Sequence, residues 1–374
     1  MSVKLLVVFG TRPEAIKLAP LVKELSSRPG FDCRVCVTGQ HREMLAQVLD
    51  LFEVQADWNL ELMRPNQDLS YLTAAALTGI SDVVRSWRPD RVIVQGDTTS
   101  TFAGALAAFY HRVPVAHVEA GLRTGDLYAP WPEEANRTMV THLADRHFAP
   151  TPGARENLLR EGVPNDRIEV TGNTGIDALM WVAALLDQRA DLRARMEALL
   201  AERVEGRRLI LMTGHRRENF DGGLQRTFNA MARIAKRSDV AIVFPVHPNP
   251  NVRKVLEPLR QCDRVLLVEP LDYPDLVFLL KRCDLVVTDS GGIQEEAPAL
   301  GKPVLVTRDL TERPEAIAAG SARLVGTDEQ LLVDSVSQLL DDPVTYRRMS
   351  RVQNPYGDGH ASSRIAARLA TDVS

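Results

Sequence analysis

Asp289-Ser290-Gly291-Gly292 interrupts a short apolar run, Leu285–Val287, and is followed by helix-forming residues from Ile293 to about Gly301. A small, Gly-rich turn between strand and helix leaves backbone N–H groups uncovered at the helix N-terminus. That end carries about half a positive charge and binds phosphate well. A Cβ at Gly291 or Gly292 would hold an anion away. Glu296, one turn into the helix, is placed to accept hydrogen bonds from a ribose diol. A second strand–turn–helix opens the chain: Lys4–Phe9, then Gly10-Thr11-Arg12-Pro13-Glu14. Pro13 suits the first helical position, with Thr11 or Arg12 as the cap. Arg12 then stands as a cation at the helix mouth, with Lys17 a turn further on. Taken singly, either turn also fits an ordinary connection with solvated charges. Asp97, Glu119, His215, His247 and Asp289 fall at the ends of other apolar runs.

The elements that must position these residues alternate strand and helix. Arg34–Thr38, Arg91–Val94, Val113–Val118, Arg146–Ala149 and Arg167–Val170 read as strands in the first half, with Asp68–Trp87 a long helix and Glu133 opening another. Leu209–Met212, Val240–Pro245, Val265–Val268, Leu285–Thr288 and Val304–Val306 read as strands in the second. Such alternation predicts α/β units with parallel sheets and right-handed crossovers. The halves also rhyme: VIVQGDTTST…RVPVAHVEAG and DLVVTDSGG…GKPVLV each run strand, Asp, small polar turn, helix, basic residue, Pro, strand. Two similar doubly wound domains are expected, with a polar, Arg-rich helix over 178–207 at their boundary. Ligands of such sheets bind at the carboxyl ends of the strands.

A chain of 374 residues, 45% hydrophobic and 25% charged, belongs with soluble globular proteins too long for one core. A net charge of −4 gives no electrostatic case for nucleic acid or an anionic membrane. No apolar run reaches the ~18 residues of a membrane span. Lys4–Phe9 is too short for a signal-peptide core, so a cytoplasmic protein is expected. Cys33 and Cys36 lie on one strand, where residues three apart point to opposite faces, and they read as buried structural thiols with Cys262 and Cys283.

GTRPEAIK (10–17), GDTTST (96–101), HVEAGLRTGD (117–126), PWPEEANR (130–137), TGHRREN (213–219), DSGGIQEEA (289–297) and ERPEA (312–316), in that order, closely resemble the bacterial non-hydrolysing UDP-N-acetylglucosamine 2-epimerases. The resemblance runs from Lys4 to Arg368. It implies the GT-B glycosyltransferase-like fold: two Rossmann-like doubly wound domains around a cleft. The first is expected over residues 1–175, joined by a returning C-terminal helix over 356–374, and a UDP-binding domain over 176–355. It implies reversible epimerisation of UDP-N-acetylglucosamine at carbon 2 to UDP-N-acetylmannosamine, supplying activated sugar for cell-surface polysaccharide, by a homodimer.

The carbon-2 proton is not acidified by a neighbouring carbonyl. Transient oxidation by NAD would need a GxGxxG fingerprint after a strand, and Gly357-Asp358-Gly359 is a poor match. The resemblance instead implies elimination of UDP to 2-acetamidoglucal and re-addition, with no cofactor and no metal. By the same resemblance Asp97, Glu119, Glu133 and His215 are the catalytic residues. Arg12, Lys17, Ser290, Gly291, Gly292, Glu296 and Arg313 bind the substrate. Glu134 faces away from the sugar, so Glu134→Gln is expected to be mild. Gln40, Gln67 and His247 match contacts of a second, regulatory UDP-GlcNAc found in some members, although Glu43 and Asn66 differ. The aromatic often found beside the uracil is Leu276 here, with Phe278 close by, and Leu271 stands at a position polar in some members. The alternatives are a 2-epimerase of a UDP-2,3-diacetamido sugar, a GT-B glycosyltransferase, a hydrolysing epimerase and a non-enzymatic UDP-sugar sensor.

Overall fold

The computed structural model describes residues 2–39, 42–64, 68–204 and 206–372. The chain divides into two compact units, one running through Ala178 and resuming at Tyr356, the other spanning Leu179–Pro355. The first holds a seven-stranded sheet of β1 (Val3–Phe9), β2 (Phe31–Val37), β3 (Trp58–Asn59), β4 (Arg91–Gln95), β5 (Val115–Val118), β6 (Arg146–Ala149) and β7 (Ile168–Val170). Its order is β3-β2-β1-β4-β5-β6-β7 and every pairing is parallel. The second holds β8 (Arg208–Thr213), β9 (Val240–Pro245), β10 (Val265–Val268), β11 (Leu285–Thr288), β12 (Val304–Val306) and β13 (Ala322–Leu324), ordered β10-β9-β8-β11-β12-β13 and again parallel. Each sheet is thus doubly wound, and its strand order reverses beside β1 and β4, or beside β8 and β11. Those are the switch points where ligands of such folds bind.

Parallel strands covered by helices on both faces need continuous apolar runs. Leu5–Phe9 supply one and are fully buried, as are Val92–Val94 and Leu285–Val287. In the first unit Leu6, Val8, Val92 and Val94 pack with Ala103, Ala105, Ala107 and Ala108 of the helix Thr99–Tyr110. Small residues let that helix sit close to the sheet. At Gly104 a Cβ would already lie 3.1 Å from Val94 and 3.3 Å from Val8. The close approach also explains Gly10: a Cβ there would fall 2.1 Å from Thr38 Oγ1 and 2.2 Å from Ser100 Oγ, two hydroxyls hydrogen-bonded to each other at 2.8 Å. In the second unit Phe228 and Phe244 meet edge to face at 5.2 Å within a core that includes Ile210, Met212 and Val287.

Several local expectations change. The boundary helix expected over 178–207 is two helices, Thr174–Gln188 and Ala190–Val204, broken at Arg189. The sequence hides the break, because the residues buried on the two pieces, Leu179, Val182 and Leu186 and then Met196, Leu200 and Val204, keep to one helical stripe at about 100° per residue. Pro13 takes the second helical position, after Arg12, with Thr11 as the cap. The strands β3 and β13 and the helix Pro152–Arg160 were not expected. The two strands are too short, at two and three residues, to show a period.

Candidate functional site

In the first unit the turn after β1 is built around a carboxylate that motif reading passed over. Glu14 is buried, and its Oε2 accepts hydrogen bonds from the backbone N–H of Gly10 at 3.1 Å, the N–H of Thr11 at 2.8 Å and the Thr11 hydroxyl at 2.8 Å. Its Oε1 accepts from the hydroxyls of Thr98 at 2.6 Å and Thr101 at 3.0 Å. Burial pushes this carboxyl upward and the hydrogen bonds oppose the push. The signal was present: Thr followed three residues later by Glu is a capping box. Here its Glu also ties GTRPEAIK to GDTTST, and so sets the turn that carries Asp97.

Asp97 follows β4. Its Oδ2 accepts from Arg137 Nη2 at 2.5 Å, and its backbone carbonyl accepts from the Asn136 amide at 2.9 Å. Burial holds the Asp97 carboxyl above its ordinary value, against Arg137 and Lys17 and helped by the charge of Glu119. Glu119 follows β5 with φ at +61°, a left-handed backbone that strains a side-chain-bearing residue. Its carboxylate is ion-paired with Lys17, takes a hydrogen bond from the Gln95 amide, and lies 3.5 Å from the Asn173 amide. Behind them His117 is fully buried, hydrogen-bonded through Nε2 to the Gly96 carbonyl at 2.7 Å, and burial lowers it to about 4. Two carboxylates are thus brought together in unlike surroundings, Glu119 braced by a lysine and Asp97 held by an arginine.

Glu133 begins the helix Glu133–Leu143, half-buried, with no hydrogen-bond or ion-pair partner among the described residues. Arg12 is half-buried at the first turn of its own helix. Lys17, expected among the phosphate-binding cations, lies against Glu119 in the carboxylate group. Glu134 corrects an expectation: it is 2% exposed, accepts from the N–H groups of Thr124 at 3.1 Å and Gly125 at 3.0 Å, and ion-pairs with Arg137 at 3.2 Å. Adjacent residues on a helix point about 100° apart. A buried, paired carboxylate is nevertheless not a mild place to remove charge.

In the second unit the helix begins at Gly291, two residues earlier than expected, with Ser290 as its cap. Both glycines therefore lie in the first turn, where N–H groups have no intrahelical partner. The Ser290 N–H is taken by Thr288 Oγ1 at 2.9 Å. A Cβ on Gly292 would meet nothing within 4 Å, whereas Gly291 lies under Arg313, whose Cζ would be 3.5 Å away. Arg313 is held over the loop by Glu295 at 2.5 Å and Glu312 at 3.1 Å. Glu296 is half-buried and accepts from the Tyr273 hydroxyl at 3.0 Å.

Asp289, read from the sequence only as a strand-end residue, organises the neighbouring loop. It is fully buried; its Oδ2 accepts from the N–H groups of His215 and Arg216, each at 2.9 Å, and its Oδ1 lies 3.6 Å from His215 Nδ1. His215 stacks on His247 with ring centroids 4.9 Å apart. Burial, then His247 and Arg216, lower the His215 imidazole, while Asp289 raises it. His247 is thereby placed beside His215; Gln40 and Gln67, grouped with it in the sequence, lie outside the described residues. Phe278 is buried in its helix's packed face, whereas Leu276 and Leu271 are half-buried. Among the described residues no three or more His, Cys, Asp or Glu are grouped to hold a metal, and no helix is long and apolar enough to cross a membrane.

Residues 23–370 match the profile of the UDP-N-acetylglucosamine 2-epimerases. The chain is 55% identical over 368 residues to the UDP-N-acetylglucosamine 2-epimerase of Yersinia pestis, covering 98% of each chain. It is 54% identical over 368 residues to that of Escherichia coli K12, again covering 98% of both. The crystal structure of the UDP-GlcNAc 2-epimerase of Neisseria meningitidis bound to UDP-GlcNAc superposes with a TM-score of 0.92 at 48% identity, covering 98% of this chain and 100% of that one. Two Rossmann-like doubly wound domains of GT-B type are therefore common to both. Sequence and fold agree over nearly the whole length, and the chain belongs to the UDP-N-acetylglucosamine 2-epimerase family.

Proposed function

We propose that the protein interconverts UDP-N-acetylglucosamine and UDP-N-acetylmannosamine by eliminating UDP and adding it back. The observation that carries the mechanism is the unlike pair at the ends of β4 and β5. Pairs of titratable groups whose surroundings push them apart divide acid and base work between them. Glu119, braced by Lys17, stays ionised and stabilises positive charge as the anomeric C–O bond breaks and its electron pair leaves with UDP. Asp97, raised by burial, takes the carbon-2 proton to give 2-acetamidoglucal. Re-addition of UDP with protonation from the opposite face gives the epimer, and Glu133 is the third carboxylate at the sugar. The Ser290 hydroxyl and the N–H groups of Gly291 and Gly292, with Arg313 and His215, hold the departing diphosphate, and Glu296 holds the ribose.

The test is proton NMR of the purified protein with UDP-GlcNAc in deuterated water, without added NAD or metal. A mixture of the two epimers with deuterium at carbon 2 is expected, and Asp97→Asn lowers the exchange rate by about 10²–10⁴, the usual contribution of a positioned acid–base group. Free N-acetylmannosamine as the main product, or exchange retained in Asp97→Asn, overturns the assignment.

A further inference from the structure

The helix Glu133–Leu143 carries two adjacent carboxylates, and substrate chemistry uses only the first. The second, Glu134, is almost wholly buried, and its surroundings divide by oxygen. Oε1 takes both backbone hydrogen bonds, from Thr124 and Gly125, while Oε2 lies 3.2 Å from Arg137 Nη1. The other terminal nitrogen of the same guanidinium, Nη2, donates to Asp97 at 2.5 Å. Arg137 is itself buried, and its Nε has no hydrogen-bond partner. One cation is thus shared between two acids.

A neutral amide at position 134 could satisfy the two N–H groups, because both go to one oxygen. It could not balance the charge of Arg137. We propose that Glu134 is a positioning residue for Asp97: by holding Arg137 in a three-way ion pair, it limits how firmly that arginine grips the Asp97 carboxylate. This rests on the reading above, in which Asp97 moves the carbon-2 proton.

The charged groups facing Asp97 are Arg137 from this helix, Glu119 from the end of β5 and Lys17 from the helix Arg12–Ser27. Lys17 is engaged by Glu119, and His117 behind them is buried and neutral at ordinary pH. Arg137 is therefore the cation whose share can change. An arginine given wholly to Asp97 would favour its charged form and make it a poor base, since an opposite charge at contact lowers a carboxyl by about 1–3 pH units. A second acid on the same guanidinium weakens that effect, and its own negative charge acts on Asp97 in the same direction.

The measurement is the pH dependence of kcat for the full-length enzyme with UDP-GlcNAc. In Glu134→Gln the limb set by Asp97 should move to lower pH by about one unit, with UDP affinity by calorimetry unchanged. Glu134→Asp, which restores the charge, should bring the limb back toward its original position. A limb that stays put in Glu134→Gln, or moves equally in both variants, overturns the proposal. Should Glu134→Gln fail to fold, Arg137→Lys tests the same arrangement. A single ammonium stays with the more deeply buried Glu134, so the limb should move to higher pH, and an unmoved limb overturns the proposal. Loss of exchange in Asp97→Asn with an unmoved profile in Glu134→Gln refutes only this inference. Exchange retained in Asp97→Asn refutes the reading beneath it.

Discussion

At the scale of single residues, the second unit holds its candidate site side chains by one device: a buried partner fixes each group. Arg313 is aimed by Glu295, the His215 loop by Asp289, and Glu296 by the Tyr273 hydroxyl. The last pairing separates two contributions to the ribose contact proposed for Glu296. Glu296→Ala removes the acceptor itself. Hydrogen bonds to a charged group are worth about 1.5–3 kcal/mol, so UDP affinity should fall roughly ten- to hundred-fold. Tyr273→Phe leaves the carboxylate to meet the ligand and removes only a donor that orients it, so a smaller loss is expected. Calorimetric titration with UDP gives both values. Equal affinities in the parent and Glu296→Ala would remove Glu296 from the nucleotide site.

At the scale of elements, β5 and β6 pair in parallel with His117 opposite His147. Both imidazoles are buried, each leaves its Nδ1 without a partner, and burial lowers them to about 4 and about 3 from the ordinary 6.5. Between pH 6.5 and about 4 the unfolded chain binds a proton at each site that the folded strands do not. Unfolding then takes up protons, so stability is present above 6.5 and is lost as pH falls through that window. With about two protons involved, the slope approaches 2.7 kcal/mol per pH unit. Urea unfolding from pH 7 to pH 4.5 should show this fall, and His147→Gln should flatten it by about half. An unchanged slope in His147→Gln would mean that other groups carry the acid sensitivity.

At the scale of the whole molecule, the last described helix, Ala361–Thr371, completes the first unit although the whole of the second unit precedes it in sequence. Ile365, Ala366 and Leu369 are buried, Asp177 accepts from the N–H groups of Ala361 at 3.1 Å and Ser362 at 2.6 Å, and Arg146 holds Asp372 through two contacts of 2.7 Å. Each buried Ile or Leu is worth about 1.5–3 kcal/mol, a large share of the roughly 5–15 kcal/mol that keeps a domain folded. Truncation after Pro355 should therefore lower the melting temperature sharply or yield insoluble protein. Asp177→Ala, which removes only the cap, should cost about 1 kcal/mol in chemical unfolding. A truncated chain that melts like the parent would show the helix to be dispensable.

The α/β class, the parallel strands and the Gly-bearing turns at their ends were determined by the sequence alone. Those features are local: an apolar run long enough to be buried on both faces, then a residue pattern that only a turn tolerates. The seven motifs that marked the family are local as well, and comparison with known proteins agrees with them. What only the tertiary structure decided is which charged groups share a partner. Lys17 reaches Glu119 across 102 residues and Arg137 reaches Asp97 across 40, because the order β1-β4-β5 lays distant turns side by side. Adjacent glutamates at 133 and 134 look equivalent in sequence, and only packing leaves the first half-buried and encloses the second beside Arg137. Charge pairing of this kind follows from distances in space, and a one-dimensional pattern of residue types does not contain them.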